Sequence, residues 1–160
     1  MKHTLLIITA LMLVVGISNA QTHEAMEFYD DGKPRSIKTY KVSKDKIELV
    51  KEIMWYKNGQ KRRERTYKDG KENGKWTEWY ENGQKEEEAT YKDGKRDGLW
   101  VYWHSNGQKW QEGTYKDGIR ERKWTAWYES GKLERKGTYK DGKWDGLITS
   151  WYENGQKKGE

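Results

Sequence analysis

The chain has no cysteine among its 160 residues. That excludes disulfides, thiolate metal sites and a lipid-bearing cysteine behind a leader. Proline occurs once, at Pro34, and phenylalanine once, at Phe28. Beyond residue 20 no apolar run approaches the length of a membrane-spanning helix. Sustained helical periodicity is absent there too, except for a short stretch at Lys46–Ile53 that reads as one or two turns of helix. No zinc-ligand spacing and no phosphate-cradling Gly-Lys-Ser/Thr loop occurs. No charge of one sign is concentrated either. The 32 Lys and Arg are interleaved with 26 Asp and Glu, giving a net charge of +6. Such a surface is soluble and mildly basic but lacks the basic stripe of a nucleic-acid binder, so no nucleic acid is expected as a partner.

High charge (36%) and a mean hydropathy of −1.31 would ordinarily point to disorder. The rings argue otherwise, because the chain holds 10 Trp and 11 Tyr. Each buried ring removes ~150–250 Å² from water, so order here is expected from aromatic rows and not from an aliphatic core.

The rows are periodic. Trp55, Trp79, Trp103, Trp127 and Trp151 stand 24 residues apart, as do Gly70, Gly94, Gly118 and Gly142. Tyr67, Tyr91, Tyr115 and Tyr139 keep the same step. A period of this size means a repeat array in which each unit packs on its neighbours. These Trp and Gly residues are taken as the structural anchors of the repeat. Asn-Gly (Asn58-Gly59, Asn82-Gly83, Asn106-Gly107, Asn154-Gly155) and Asp-Gly (Asp69-Gly70, Asp93-Gly94, Asp117-Gly118, Asp141-Gly142) punctuate each unit. Both pairs suit type I′ hairpin turns, whose two central residues need positive φ. The segments between them are rich in Trp, Tyr and Thr, which favour strands. The expected fold is all-β: an elongated antiparallel meander of hairpins in a single twisted sheet. Alternation places Trp76, Glu78 and Tyr80 on one face, and Thr77 and Trp79 on the other. Ala89, Gly113 and Gly137 precede the Thr-Tyr pairs, and a Trp from a neighbouring strand is expected to cover each of them.

Three regions follow. Residues 1–20 have the form of a secretory signal: a basic start, an apolar run from Thr4 to Ile17, and Ser18-Asn19-Ala20 at a cleavage site. Export to the periplasm, cell envelope or medium is expected. Residues 21–54 form a degenerate N-terminal capping repeat, with three residues inserted before Trp55. In it Pro34 is expected to guard a sheet edge, and His23 to lie in a loose tail. Residues 55–160 are the array proper.

At Tyr67–Gln84 and Tyr91–Gln108 the pattern Tyr-x-Asp-Gly-Lys-x-x-Gly-x-Trp-x-x-Trp-Tyr-x-Asn-Gly-Gln is nearly complete. It recurs at Tyr139–Gln156, and also at Tyr115–Lys132, where Ile119, Arg122 and Ser130 replace Lys, Gly and Asn. This resembles the MORN-repeat-variant family. The resemblance implies a β-hairpin array used for binding, with antitoxin-like roles among bacterial members and membrane attachment or protein assembly in the broader group.

No catalytic residue, metal site or cofactor is assigned. His104 occupies a slot filled by Tyr80, Tyr128 and Tyr152 elsewhere and reads as a drifted repeat position; Ser105 beside it has no triad partners. Asp93 with Asp97, and Asp141 with Asp145, supply too few converging oxygens for calcium and read as turn chemistry. The candidate binding surface is the tyrosine row Tyr56, Tyr80, Tyr102, Tyr128 and Tyr152, because a single sheet cannot bury both faces. Open rings flanked by Lys and Glu suit docking a protein, stacking on sugars or holding choline-like cations. The expected partner is a protein at the cell envelope. The alternatives are a toxin neutralised by this chain, or an envelope glycan or lipid headgroup.

Overall fold

The computed structural model describes residues 21–159, so the signal-like segment lies outside the described residues. Twelve strands form one antiparallel sheet in sequence order. They are β1 (Gln21–Phe28), β2 (Pro34–Ser43), β3 (Lys46–Trp55), β4 (Lys61–Lys68), β5 (Lys71–Trp79) and β6 (Lys85–Lys92). Then come β7 (Lys95–Trp103), β8 (Lys109–Lys116), β9 (Ile119–Trp127), β10 (Leu133–Lys140), β11 (Lys143–Trp151) and the short β12 (Lys157–Gly159). Each 24-residue unit is one hairpin, so equivalent residues recur every second strand, about 10 Å apart.

The Asp-Gly turns are the tight ones. Lys68 pairs with Lys71 across Asp69-Gly70, whose φ values are 50° and 74°, as a type I′ turn requires. The Asn-Gly turns depart from expectation. Only the glycine has positive φ (Gly83 +83°), and the loop is a wider turn closed by Gly83 N donating to the Tyr80 carbonyl and Tyr80 N donating to the Gln84 carbonyl. A register shift between Glu78 and Trp79 accompanies it. Asn82 uses both ends of its amide: Oδ1 accepts from Gln84 N at 3.0 Å, and Nδ2 donates to the Ser105 carbonyl one repeat on.

Register confirms the alternation of faces. Trp76 lies opposite Ala89, Thr77 opposite Glu88, and Glu78 opposite Glu87. The most buried rings belong to the second Trp column, not the first. Trp100 and Trp124 form the core with Ala89, Tyr91 and Tyr115, and Trp76, Tyr102 and Tyr139 pack against it. Tyrosines from the intervening strands fill the gaps. Trp76 stacks on Tyr91 at 4.5 Å, Tyr115 meets Trp124 edge-on at 5.2 Å, and Tyr139 lies 4.0 Å from Trp144. Guanidinium groups close the row: Arg65 lies 3.7 Å from the Trp76 ring and Arg120 4.3 Å from Trp124. The anchor column Trp55 to Trp151 is half-buried on the opposite face at the strand ends, with Lys61, Lys85, Lys109 and Lys136 over four of its rings. Between those ends, Thr77, Val101, Thr125 and Thr149 form a buried row on that face.

Three local expectations are corrected. Lys46–Ile53 is strand, not helix, because Ile47, Leu49 and Ile53 lie in β3 and are held by pairing to β2, with β4 pairing along Lys51–Trp55. The three inserted residues lengthen the β2–β3 hairpin, whose strands have 10 residues each. Pro34 opens β2, which is paired on both sides, so it guards no edge; a first strand position tolerates its missing N–H. His23 is not in a loose tail but opposite Tyr40 in β1.

The glycine expectation holds. A Cβ on Gly113 would collide with the Trp124 indole, and one on Gly137 would meet Trp144 Cζ3 at 2.6 Å. We therefore expect Gly113→Ala to lose about 1–3 kcal/mol in urea unfolding, and Gly113→Lys more; unchanged stability would show that the ring yields freely. Conversely, Arg122 holds φ +62° where Gly74, Gly98 and Gly146 stand in other repeats. Left-handed backbone costs an ordinary residue about 1–2 kcal/mol. Arg122→Gly is expected to recover roughly 0.5–1 kcal/mol after the entropy of glycine is counted, read as a raised urea midpoint.

Candidate functional site

The tyrosine row divides in two. Tyr56, Tyr80, Tyr128 and Tyr152 follow their strands directly, at the mouths of the wide turns. Tyr102 lies inside β7, on the core face, opposite Glu87 and Gln111. Three of the turn tyrosines are occupied by a common contact. Tyr56 Oη donates to the Trp79 carbonyl at 2.8 Å, Tyr80 to Trp103 at 2.7 Å and Tyr128 to Trp151 at 2.8 Å. Tyr29 does the same to Trp55 at 2.6 Å. His104 takes that role in its repeat, with Nε2 donating to the Trp127 carbonyl at 3.2 Å, which places its proton on Nε2. These phenols tie one hairpin end to the next while their rings remain half-exposed. Tyr152 is 48% exposed, with Lys158 Nζ 5.5 Å from its ring.

Burial raises the phenol pKa of Tyr56 and Tyr80, and the Glu86 carboxylate adds to the shift in both. Tyr102 is pushed up furthest, by burial and then by its hydrogen bond to Glu86 Oε1 at 2.6 Å. All three are therefore neutral hydrogen-bond donors at physiological pH. Tyr102 contacts Trp110 edge-on at 5.1 Å, and His104 lies 6.1 Å from the same ring. Trp110 is 43% exposed. It was missed from sequence because it keeps no 24-residue step. The signal was its presence where Arg62, Glu86 and Glu134 stand in neighbouring units.

The anchors Gly94, Gly118 and Gly142 serve the opposite end of the hairpins. Their N–H groups donate to the carbonyls of Glu72, Arg96 and Arg120 in the preceding repeat, at 2.9, 2.8 and 3.2 Å. The Asp97 carboxylate accepts from Lys116 Nζ at 2.8 Å and Asp117 N at 3.3 Å. Lys116 accordingly holds Asp97 below the usual carboxylate range. What the arrangement offers chemically is a set of neutral phenols, open indole edges and paired charges spaced along a sheet.

Tyr80→Phe leaves the Trp103 carbonyl without its side-chain donor. It is expected to cost about 0.5–1.5 kcal/mol in chemical denaturation, and no loss would mean that the tie between hairpins is not energetic.

A family model described as MORN repeat variant matches residues 24–41, 50–69, 72–93, 96–117, 123–141 and 144–160. Among curated proteins no match is found.

Proposed function

This chain belongs to the MORN repeat variant family, and from that premise we propose that it is an exported, non-enzymatic array that binds a protein partner at the cell envelope. The observation that carries the reading is the uncovered sheet. No second layer lies over the described strands, and Trp110, Leu147 (63% exposed) and Tyr152 stay open. Exposed rings rimmed by charge are the composition of an interface patch. The repeated polar residues serve turns and ties between hairpins, which supports binding over catalysis. Export rests on the form of residues 1–20.

A ladder of similar surfaces distributes contact over several repeats, so affinity is expected to fall stepwise as hairpins are removed from one end. The test is capture by the immobilised array from native envelope extract, run in parallel with protease-treated extract. A stoichiometric, protease-sensitive protein is the expected result, and co-expression then shows whether that protein is a toxin neutralised by this chain. Retention on protease-stripped wall or lipid, competed by sugars or choline, would overturn the protein-partner reading in favour of an envelope ligand. So would capture confined to a single repeat overturn the distributed surface.

A further inference from the structure

Three departures from the repeat converge at one place. Tyr102 stands where Glu78, Ala126 and Ser150 do, His104 where Tyr80 and Tyr128 do, and Trp110 where Arg62, Glu86 and Glu134 do. The hairpin ladder does not require an indole at position 110, because the other units hold together with a charge there. Yet the sheet sets the Trp110 ring against both Tyr102 and His104.

Beside this group runs Glu86-Glu87-Glu88, and the three carboxylates have different fates. Glu87 accepts from Arg96 Nη2 at 2.7 Å and from the Trp100 indole at 2.6 Å. Glu88 is neutralised by Lys85 at 2.7 Å and Lys75 at 3.1 Å. Glu86 has only the Tyr102 phenol, and among the described residues no basic side chain comes within ion-pair distance of it. The nearby Arg62 guanidinium lies 5.8 Å from the Tyr56 ring. Glu86 is thus a half-buried carboxylate without an ion-pair partner, close to Tyr80 and bonded to the Tyr102 phenol, whose ring in turn meets Trp110 at 5.1 Å. Ring faces and an uncompensated carboxylate both attract a cation.

We propose that Glu86, Tyr102 and Trp110, with His104 behind them, form a site for the ammonium group of a lysine side chain on a partner polypeptide. One oxygen of Glu86 is already engaged by the phenol. That favours a compact ammonium over the guanidinium fork, which is best met by two free oxygens. The half-buried Tyr102 phenol donates to Glu86 Oε1 at 2.6 Å and so fixes the position of the carboxylate. The site names the chemistry of the partner in the reading above and rests on that reading.

The test does not require the partner. The Trp110 indole N–H resonance of the 15N-labelled protein is followed while Nα-acetyl-lysine methylamide is added, with the norleucine analogue as the neutral control and choline as the quaternary one. A saturable shift with the lysine compound, none with norleucine, and weaker binding of choline are expected. Glu86→Gln should weaken binding about fivefold or more, the equivalent of losing one solvent-exposed ion pair. Trp110→Gln removes an exposed ring outside the core and, followed at the Tyr102 backbone N–H instead of the lost indole, should abolish the response with the fold intact. Equal response to norleucine, unchanged affinity in Glu86→Gln, or tighter binding of choline overturns the proposal. In the envelope capture, a partner retained equally by Glu86→Gln also overturns it while leaving the protein-partner reading in place. Capture of no protein by the wild-type chain counts against that reading itself, and is seen separately from the titration.

Discussion

The interaction on which everything else depends is the stacking of rings across the strands at the spacing of the sheet itself. A one-layer sheet has nothing above it to pack on, so its buried surface must come from sideways contact between side chains of successive hairpins. Two strands advance the sheet by about 10 Å, and although the Trp100 and Trp124 rings lean to within 5.5 Å of each other, the space beside them is still to be filled. The chain closes that distance by alternating Trp from one strand with Tyr from the next, as in Trp100, Tyr115, Trp124, Tyr139 and Trp144. Smooth interlocking then requires a small residue beneath each ring, which explains Ala89, Gly113 and Gly137. In the first full unit Arg65 stands in that place and covers Trp76 with its guanidinium, while Glu72 at 3.1 Å balances its charge.

This lateral geometry also accounts for the strictness of the period. The ties between hairpins that recur in each unit join residues 22 or 23 apart: phenol to Trp carbonyl, Asn amide to carbonyl, and Gly N–H to carbonyl. One inserted residue inside a unit would break several of these at once and flip the strand's side chains to the wrong face. The one insertion, of three residues, is carried by the hairpin of β2 and β3, before the ring row begins. Stability in such an array is a sum of nearest-neighbour terms. The buried row from Ala89 to Trp124 therefore forms the stiffest part, and the outer hairpins open first.

How much of this is legible in sequence depends on whether the signal is local or lateral. The strands, their order and the tight Asp-Gly turns are local and follow directly from residue type. Which Trp column is buried is lateral. Trp79 and Trp76 are both Trp in a strand, and only the register, with its shift between Glu78 and Trp79, places Trp76 over Ala89 and leaves Trp79 at the strand end. The Asn-Gly turns look like type I′ from two residues, but the loop closes wider, by Tyr80 N donating to the Gln84 carbonyl, and the Ser130-Gly131 and Asn154-Gly155 turns close alike without an amide reaching the next repeat. β3 illustrates the same limit, since a spacing compatible with helix gives way to partners on both sides. In the candidate site, the tyrosine row is visible as a period, while the use of its hydroxyls is not.

Periodicity has a second consequence for reading function in a repeat protein. A residue that keeps the period is explained by the scaffold, because the scaffold needs it in every unit. Tyr80 and Tyr128 are of this kind, and their hydroxyls are spent on the neighbouring hairpin. A residue that breaks the period is under no such demand, and a lone break is ordinary drift. Three breaks that meet on neighbouring strands, with one exposed indole and one carboxylate lacking a cation, form a local chemistry that the repeat does not account for. The scaffold thus supplies the background against which such a cluster is seen, and specificity in this chain is to be sought where the ladder is irregular rather than along its regular face.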